Sequence, residues 1–230
     1  MDNYLICNNC KAVNPLYASN CKSCGSFLRS KIANIDLWDS VWNIMTDPIK
    51  TTVKIIQSEK KNYLLTLLLL WLFKSSINNY ILKNYFYAGF DQTVNFSNSL
   101  LEGGLLAVGI IALFSYVFTF VFSFFKIQTR FLDNLTIYTY ALIPVLLSFV
   151  FLTPFHIALY GFYWFTVNPS PFIIKPLVTY VLYSIEGLFL IWSLILFVFV
   201  TYTQTKKIFL SIISGTVLFI LVMGFHFLQL

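Results

Sequence analysis

Four cysteines stand as Cys7-x-x-Cys10 and Cys21-x-x-Cys24, and the 230-residue chain has no others. A two-residue gap makes a tight knuckle that aims both sulfurs at one point. Two knuckles supply the closed tetrahedral shell of a structural zinc ion. No position stays open for water or substrate, so one zinc bound there would hold shape and do no chemistry. The alternative is a pair of disulfides, which needs an oxidising compartment; the charge distribution described below places this segment in the cytosol instead. A knob of about 25 residues cannot bury enough apolar surface to fold alone. Bound metal must therefore supply the folding free energy, on the order of 10 kcal/mol.

The other candidate for chemistry is Glu186, inside a long apolar run. A carboxylate near the middle of a membrane is expensive and faces protein or water. One reading is a proton or cation site; the other is a protonated acid hydrogen-bonded between helices. His156 and His226 read as single structural histidines near the outer interface. Lys74 reads as a side chain that snorkels outward. A metal-binding pair of histidines, a nucleophile elbow and a phosphate-cradling glycine loop are all missing from the sequence, so the expectation is a protein that is not an enzyme.

The elements that must position these residues are membrane helices. The chain is 58% hydrophobic and 10% charged, with mean hydropathy +0.77, against roughly a quarter charged in a soluble domain. Five spans of roughly 20 residues each are expected: Tyr63 to Leu82, Leu105 to Phe125, Leu135 to Thr153, Leu177 to Tyr202 and Ile208 to Leu228. Pro154 is expected to end the third span. The aromatic run from Phe155 to Phe165 then lies along the outer interface, with Tyr160, Tyr163 and Trp164 at headgroup depth. The polar N-terminus predicts no cleavable signal peptide.

The net charge of +6 marks topology better than a nucleic-acid face. With a cytosolic N-terminus and five spans, 12 of the 15 Lys and Arg fall inside. Lys74, Lys83 and Lys175 fall outside, a clear positive-inside bias, and the C-terminus lies outside. Residues 1–30 form the metal-held head, 31–62 a juxtamembrane linker and 63–230 the membrane block. In the linker, Ile35, Trp38, Trp42, Met45, Ile49, Val53 and Ile56 make an apolar stripe. Asp47-Pro48 divides it into two short helices. These either lie on the inner leaflet or pack on the bundle.

Two resemblances follow. Cys7, Cys10, Asn14, Ala18, Cys21, Cys24, Gly25 and Leu28 resemble the short prokaryotic zinc ribbon. Lys11 stands where that family has Gly, which predicts a looser first knuckle. From Asp47 onward the chain resembles the Yip domain family, five-span membrane proteins whose eukaryotic members interact with Rab-type GTPases. Tyr140-Ala141-Leu142-Ile143-Pro144, Trp192-Ser193 and Lys206-Lys207 carry the likeness. Asp36-Leu37-Trp38 is a fragment of the family's Asp-Leu-Tyr-Gly-Pro and lacks the Gly-Pro, which argues against Rab binding. The fused ribbon points to the prokaryotic branch, hence a prokaryotic cell membrane rather than a eukaryotic endomembrane.

The fold expectation is thus an all-α multi-pass membrane protein, five transmembrane helices with a small N-terminal zinc ribbon. The expected function is a non-enzymatic adaptor or scaffold in membrane organisation or trafficking, its ribbon presented to a cytosolic protein partner. The alternative is a small transporter or channel using Glu186. Self-association stays open, with Ser211-x-x-x-Gly215 permitting close helix approach.

Overall fold

A computed structural model describes residues 4–15, 17–29, 34–87 and 94–224. His226 and the expected end of the fifth span lie outside the described residues. Strands β1 (Tyr4–Ile6) and β2 (Val13–Pro15) pair antiparallel, with Leu5 opposite Asn14. An isolated bridge between Asn20 and Phe27 closes the second knuckle.

Helices α1 (Leu37–Thr46) and α2 (Pro48–Gln57) follow the sequence signals at their ends. Asp36 caps α1 by accepting from the Asp39 amide, and Asp47 caps α2 by accepting from the Lys50 amide. Pro48 occupies the first turn, where its missing N–H costs nothing. Part of this stripe packs on the bundle. Ile55 and Ile56 of α2 are buried with α6 (Phe131–Ala141) and α10 (Pro176–Thr205), whereas Trp38 and Trp42 of α1 are 76% and 72% exposed.

Among the described residues, four helical stretches are long and apolar enough to cross a membrane: Leu64–Tyr87, Phe96–Phe124, Phe131–Tyr160 and Pro176–Thr205. The first is α3, and it runs unbroken through Lys74-Ser75-Ser76 because those residues and Asn79 are buried against protein. The second joins α4 (Phe96–Ser99), a π-helical turn (Leu100–Leu105) and α5 (Leu106–Phe124). Gly103 and Gly104 lie in that turn against α3. A Cβ on Gly103 would fall 2.5 Å from Asn79 Cβ, and one on Gly104 would meet Ser76 and Leu72. Glycine here permits close approach of the two helices.

The third stretch is α6 followed by α7 (Ile143–Tyr160), broken at Leu142 just before Pro144. A hydroxyl satisfies a carbonyl at the break. Ser193 Oγ donates to Ala141 O at 2.7 Å, while the Tyr140 hydroxyl donates to Asn62 O. Pro154 does not end the helix. The chain continues helical to Tyr160 because Leu152 and Tyr160 are buried with Trp164 and Leu182, and this packing outweighs one lost backbone bond. Trp164, expected at the interface, is buried in α8 (Tyr163–Thr166).

After α9 (Pro171–Ile174), α10 is the longest helix, and α11 (Ile208–Gly224) packs tightly along it. A Cβ on Gly215 would come within 2.9 Å of Phe197 O and Val198 Cα, so only glycine allows this crossing. The described part of α11 has 17 residues. The central core gathers Trp71, Phe122, Tyr138, Leu142, Phe197 and Leu218, and is continuous with Ile35 and Ile44 of the linker.

Candidate functional site

The head brings its four sulfurs together. Cys7, Cys10, Cys21 and Cys24 place their Sγ atoms within 4.8 Å of one another. Cys7 Sγ lies 3.6 Å from Cys24 Sγ, and Cys10 Sγ lies 3.5 Å from Cys21 Sγ. These distances far exceed a sulfur–sulfur bond of about 2.0 Å. They approach the edge of about 3.8 Å that a tetrahedral ion with bonds of about 2.3 Å to sulfur requires. The donor set therefore fits a metal ion.

Backbone geometry prepares the thiols. The Cys10 amide, helped by the Ser26 hydroxyl and the Asn9 amide, holds the Cys7 thiol down to about 6. The Cys24 amide likewise lowers the Cys21 thiol. At Cys10 the Ala12 amide works in the same direction, but the sulfurs of Cys24 and Cys21 outweigh it and push the thiol up to about 12. Four thiolates in so small a space repel, and a dication supplies the missing positive charge.

Residues around the sulfurs lock the two knuckles together. Asn14 donates to Cys21 Sγ and accepts from the Lys22 amide, and it is almost fully buried. Ala18 and Leu28 are buried with Cys7 and Cys21. The two knuckles close in the same way. Lys11 adopts φ 59°, Gly25 adopts φ 70°, and each donates its amide to the first cysteine of its knuckle, at 3.0 and 2.9 Å. Lys11 accepts the strain that glycine would avoid.

Arg29, at the end of the head, reaches the membrane block. Its Nη1 and Nη2 donate to Asp133 Oδ1 and Oδ2 at 3.0 and 2.9 Å, a bidentate pair with both side chains at most 3% exposed. The same guanidinium donates to Tyr17 O of the head and Ile56 O of α2. Lys61 Nζ joins at 3.0 Å from Asp133 Oδ1. Burial pushes Lys61 below the ordinary lysine range, and Asp133 only partly offsets it. Next to Asp133, buried Asn134 donates to Ser115 O, Thr119 and Thr129 and accepts from Gln204 Nε2. A cavity of about 200 Å³ opens beside this seam, lined by Tyr17, Lys126, Thr129, Arg130, Asp133 and Gln204 among others.

Sequence reasoning missed this cluster. Arg29 counted only as topology, and Asp133 was not singled out. The one available signal was an Asp-Asn pair opening an otherwise apolar run.

Glu186 lies elsewhere, and it is not alone. Lys74 Nζ stands 3.4 Å from Glu186 Oε1, so Lys74 turns inward to this partner and does not snorkel. A carboxylate across the helix interface is a better partner than a distant lipid surface. The pair lines a cavity of about 420 Å³ with Asn78, Phe149, His156, Trp164 and Tyr183. His156 stacks on Trp164 at 3.7 Å between ring centroids, and its buried Nε2 has no partner among the described residues. Compared with protein-family models, with curated proteins and with solved structures, the chain matches none.

Proposed function

We propose that this chain is a non-enzymatic integral membrane adaptor whose zinc-held ribbon is presented, in a fixed pose, to a cytosolic protein partner. The bidentate Arg29–Asp133 contact carries this reading. A head free to swing on a tether would need no buried ion pair tying it to the bundle. Fixing the head also fixes the direction of its exposed apolar residues Ile6, Val13 and Phe27, and such clusters mark interaction surfaces. The all-sulfur donor set suits zinc over hard cations and leaves no open coordination position. In this reading α11 is a fifth span, the N-terminus is cytosolic, the C-terminus is outside, and the membrane block is Yip-like. The contact between Ser193 and Ala141 joins two of the stretches on which that likeness rests.

Proximity labelling from the N-terminus of the full chain in native cells tests the reading. One protein set should be labelled by wild type and lost with Ile6→Asp or Cys7→Ser. Identical labelling by all three would rule the adaptor role out.

The Lys74–Glu186 cavity favours a second reading, a small transporter, because an unpartnered buried imidazole faces it. Reconstituted liposomes should then show solute or ion flux that Glu186→Gln abolishes. Flux equal to empty liposomes removes this reading.

A further inference from the structure

The cavity at the seam between head and bundle has a charge imbalance. Asp133 is the acidic side chain among its lining residues, and both Arg29 and Lys61 already share it. Lys126 and Arg130 line the same cavity and form no ion pair among the described residues. Arg130 also adds to the repulsion felt by Lys61. Lys206 and Lys207 follow directly on Gln204-Thr205 at this end of the bundle. In a partly enclosed site, uncompensated cations ask for an anion.

A second observation narrows the ligand. Gln204 is more than nine-tenths buried and lines the cavity; its Nε2 is spent on Asn134, while its Oε1 has no partner among the described residues. That oxygen accepts only from a hydroxyl or N–H. A ligand that suits both features carries a phosphate and a hydroxyl.

A third observation indicates the source. Phe124, Phe125 and Phe131 flank residues 126–130 and are exposed on a helix bundle long and apolar enough to cross a membrane. Acyl chains would run beside these rings, with the phosphate level with Lys126 and Arg130.

We propose that the cavity bounded by Tyr17, Thr129, Arg130 and Gln204 binds the headgroup of an anionic phospholipid bearing a free hydroxyl. Lys126 and Arg130 meet the phosphate, and Gln204 Oε1 accepts from the hydroxyl. The volume of about 200 Å³ suits a headgroup, leaving the chains outside. Because Tyr17 belongs to the head and Gln204 to the bundle, the bound lipid touches both. The proposal rests on the bundle lying in a bilayer and is independent of any protein partner.

The test uses the full chain in a neutral maltoside detergent and short-chain lipids, with affinity read by thermophoresis. Dihexanoyl phosphatidylglycerol should bind at least tenfold more tightly than the matching phosphatidylcholine. Phosphatidylethanol, an anionic diester without a headgroup hydroxyl, should bind roughly fivefold more weakly than phosphatidylglycerol. The double variant Lys126→Gln, Arg130→Gln should lose roughly 30-fold in phosphatidylglycerol affinity with melting temperature unchanged, and Lys83→Gln should lose nothing. Equal affinity for phosphatidylglycerol and phosphatidylcholine, or wild-type affinity in the double variant, overturns the site. Equal binding of phosphatidylethanol overturns the role of Gln204. Free glycerol 3-phosphate binding as tightly as the lipid overturns the lipid as its source.

Discussion

Arg29 and Asp133 are separated by 104 residues of sequence and joined by two parallel N–H···O bonds, with both side chains at most 3% exposed. One carboxylate thereby fastens the four-cysteine head, the end of α2 and the entry to α3, because Arg29, Ile56 and Lys61 all converge there.

Removing one partner of a buried pair leaves an uncompensated charge and costs about 3–5 kcal/mol. Asp133→Leu strands two cations and should be the most damaging single change, undocking the head without emptying it. Limited proteolysis between the head and α3 should accelerate, while metal content stays at one ion per chain. The double variant Arg29→Met, Asp133→Leu should recover much of the loss. Proteolysis no faster than wild type in Asp133→Leu would show that the pair does not fasten the head.

Metal removal should act on the head alone. The head contributes two strands of three residues, so chelation should leave helical circular dichroism nearly unchanged. All four thiols should become reactive, and Cys21→Ser should abolish metal retention. Purified protein that binds no zinc while its head resists protease would contradict the metal-dependent fold.

Zinc affinity should rise with pH. Ligation requires thiolates. At pH 7 the Cys7 thiol, held at about 6, is already ionised, whereas Cys10, pushed up to about 12, must release a proton on binding. Each proton released steepens the rise by about tenfold per pH unit. Below about 6, Cys7 also takes up a proton and the dependence sharpens. Chelator competition between pH 5.5 and 8 measures this, and a flat profile would refute it.

Lys11→Gly should tighten the head. Lys11 holds φ 59° with a side chain that disfavours it, a strain of about 1 kcal/mol that glycine removes, less a few tenths for its looser unfolded chain. A few-fold gain in zinc affinity is expected, against no gain for Lys22→Gly as a control.

Gly215→Leu should separate α11 from α10. The added Cβ would meet backbone atoms of Phe197 and Val198 that cannot rotate away. Overpacking of this kind costs about 1–3 kcal/mol, visible as earlier unfolding in detergent titration. Gly187→Ala, where a Cβ meets nothing within 4 Å, is the control.

Features fixed by local chemistry were legible from the sequence. The cysteine spacing implied converging sulfurs, Asp47-Pro48 marked a helix start, and long apolar runs marked four of the helical stretches. Features fixed by long-range pairing were not. Lys74 read as a snorkelling residue because its partner Glu186 lies 112 residues away. Pro154 read as a stop because the packing of Leu152 and Tyr160 that carries the helix past it is tertiary. Asp133 passed unnoticed for the same reason: its two cationic partners come from the head and from the approach to α3.

The two exposed indoles of α1 have a mechanical consequence. Trp38 and Trp42 sit one turn apart on one face, and the ion pair between Lys54 and Asp39 braces that helix against α2, which is itself wedged between α6 and α10. Ile44, fully buried in the central core, ties α1 to that bundle. A surface that seizes the indoles, lipid or protein, thus pulls on the bundle through α1 and α2.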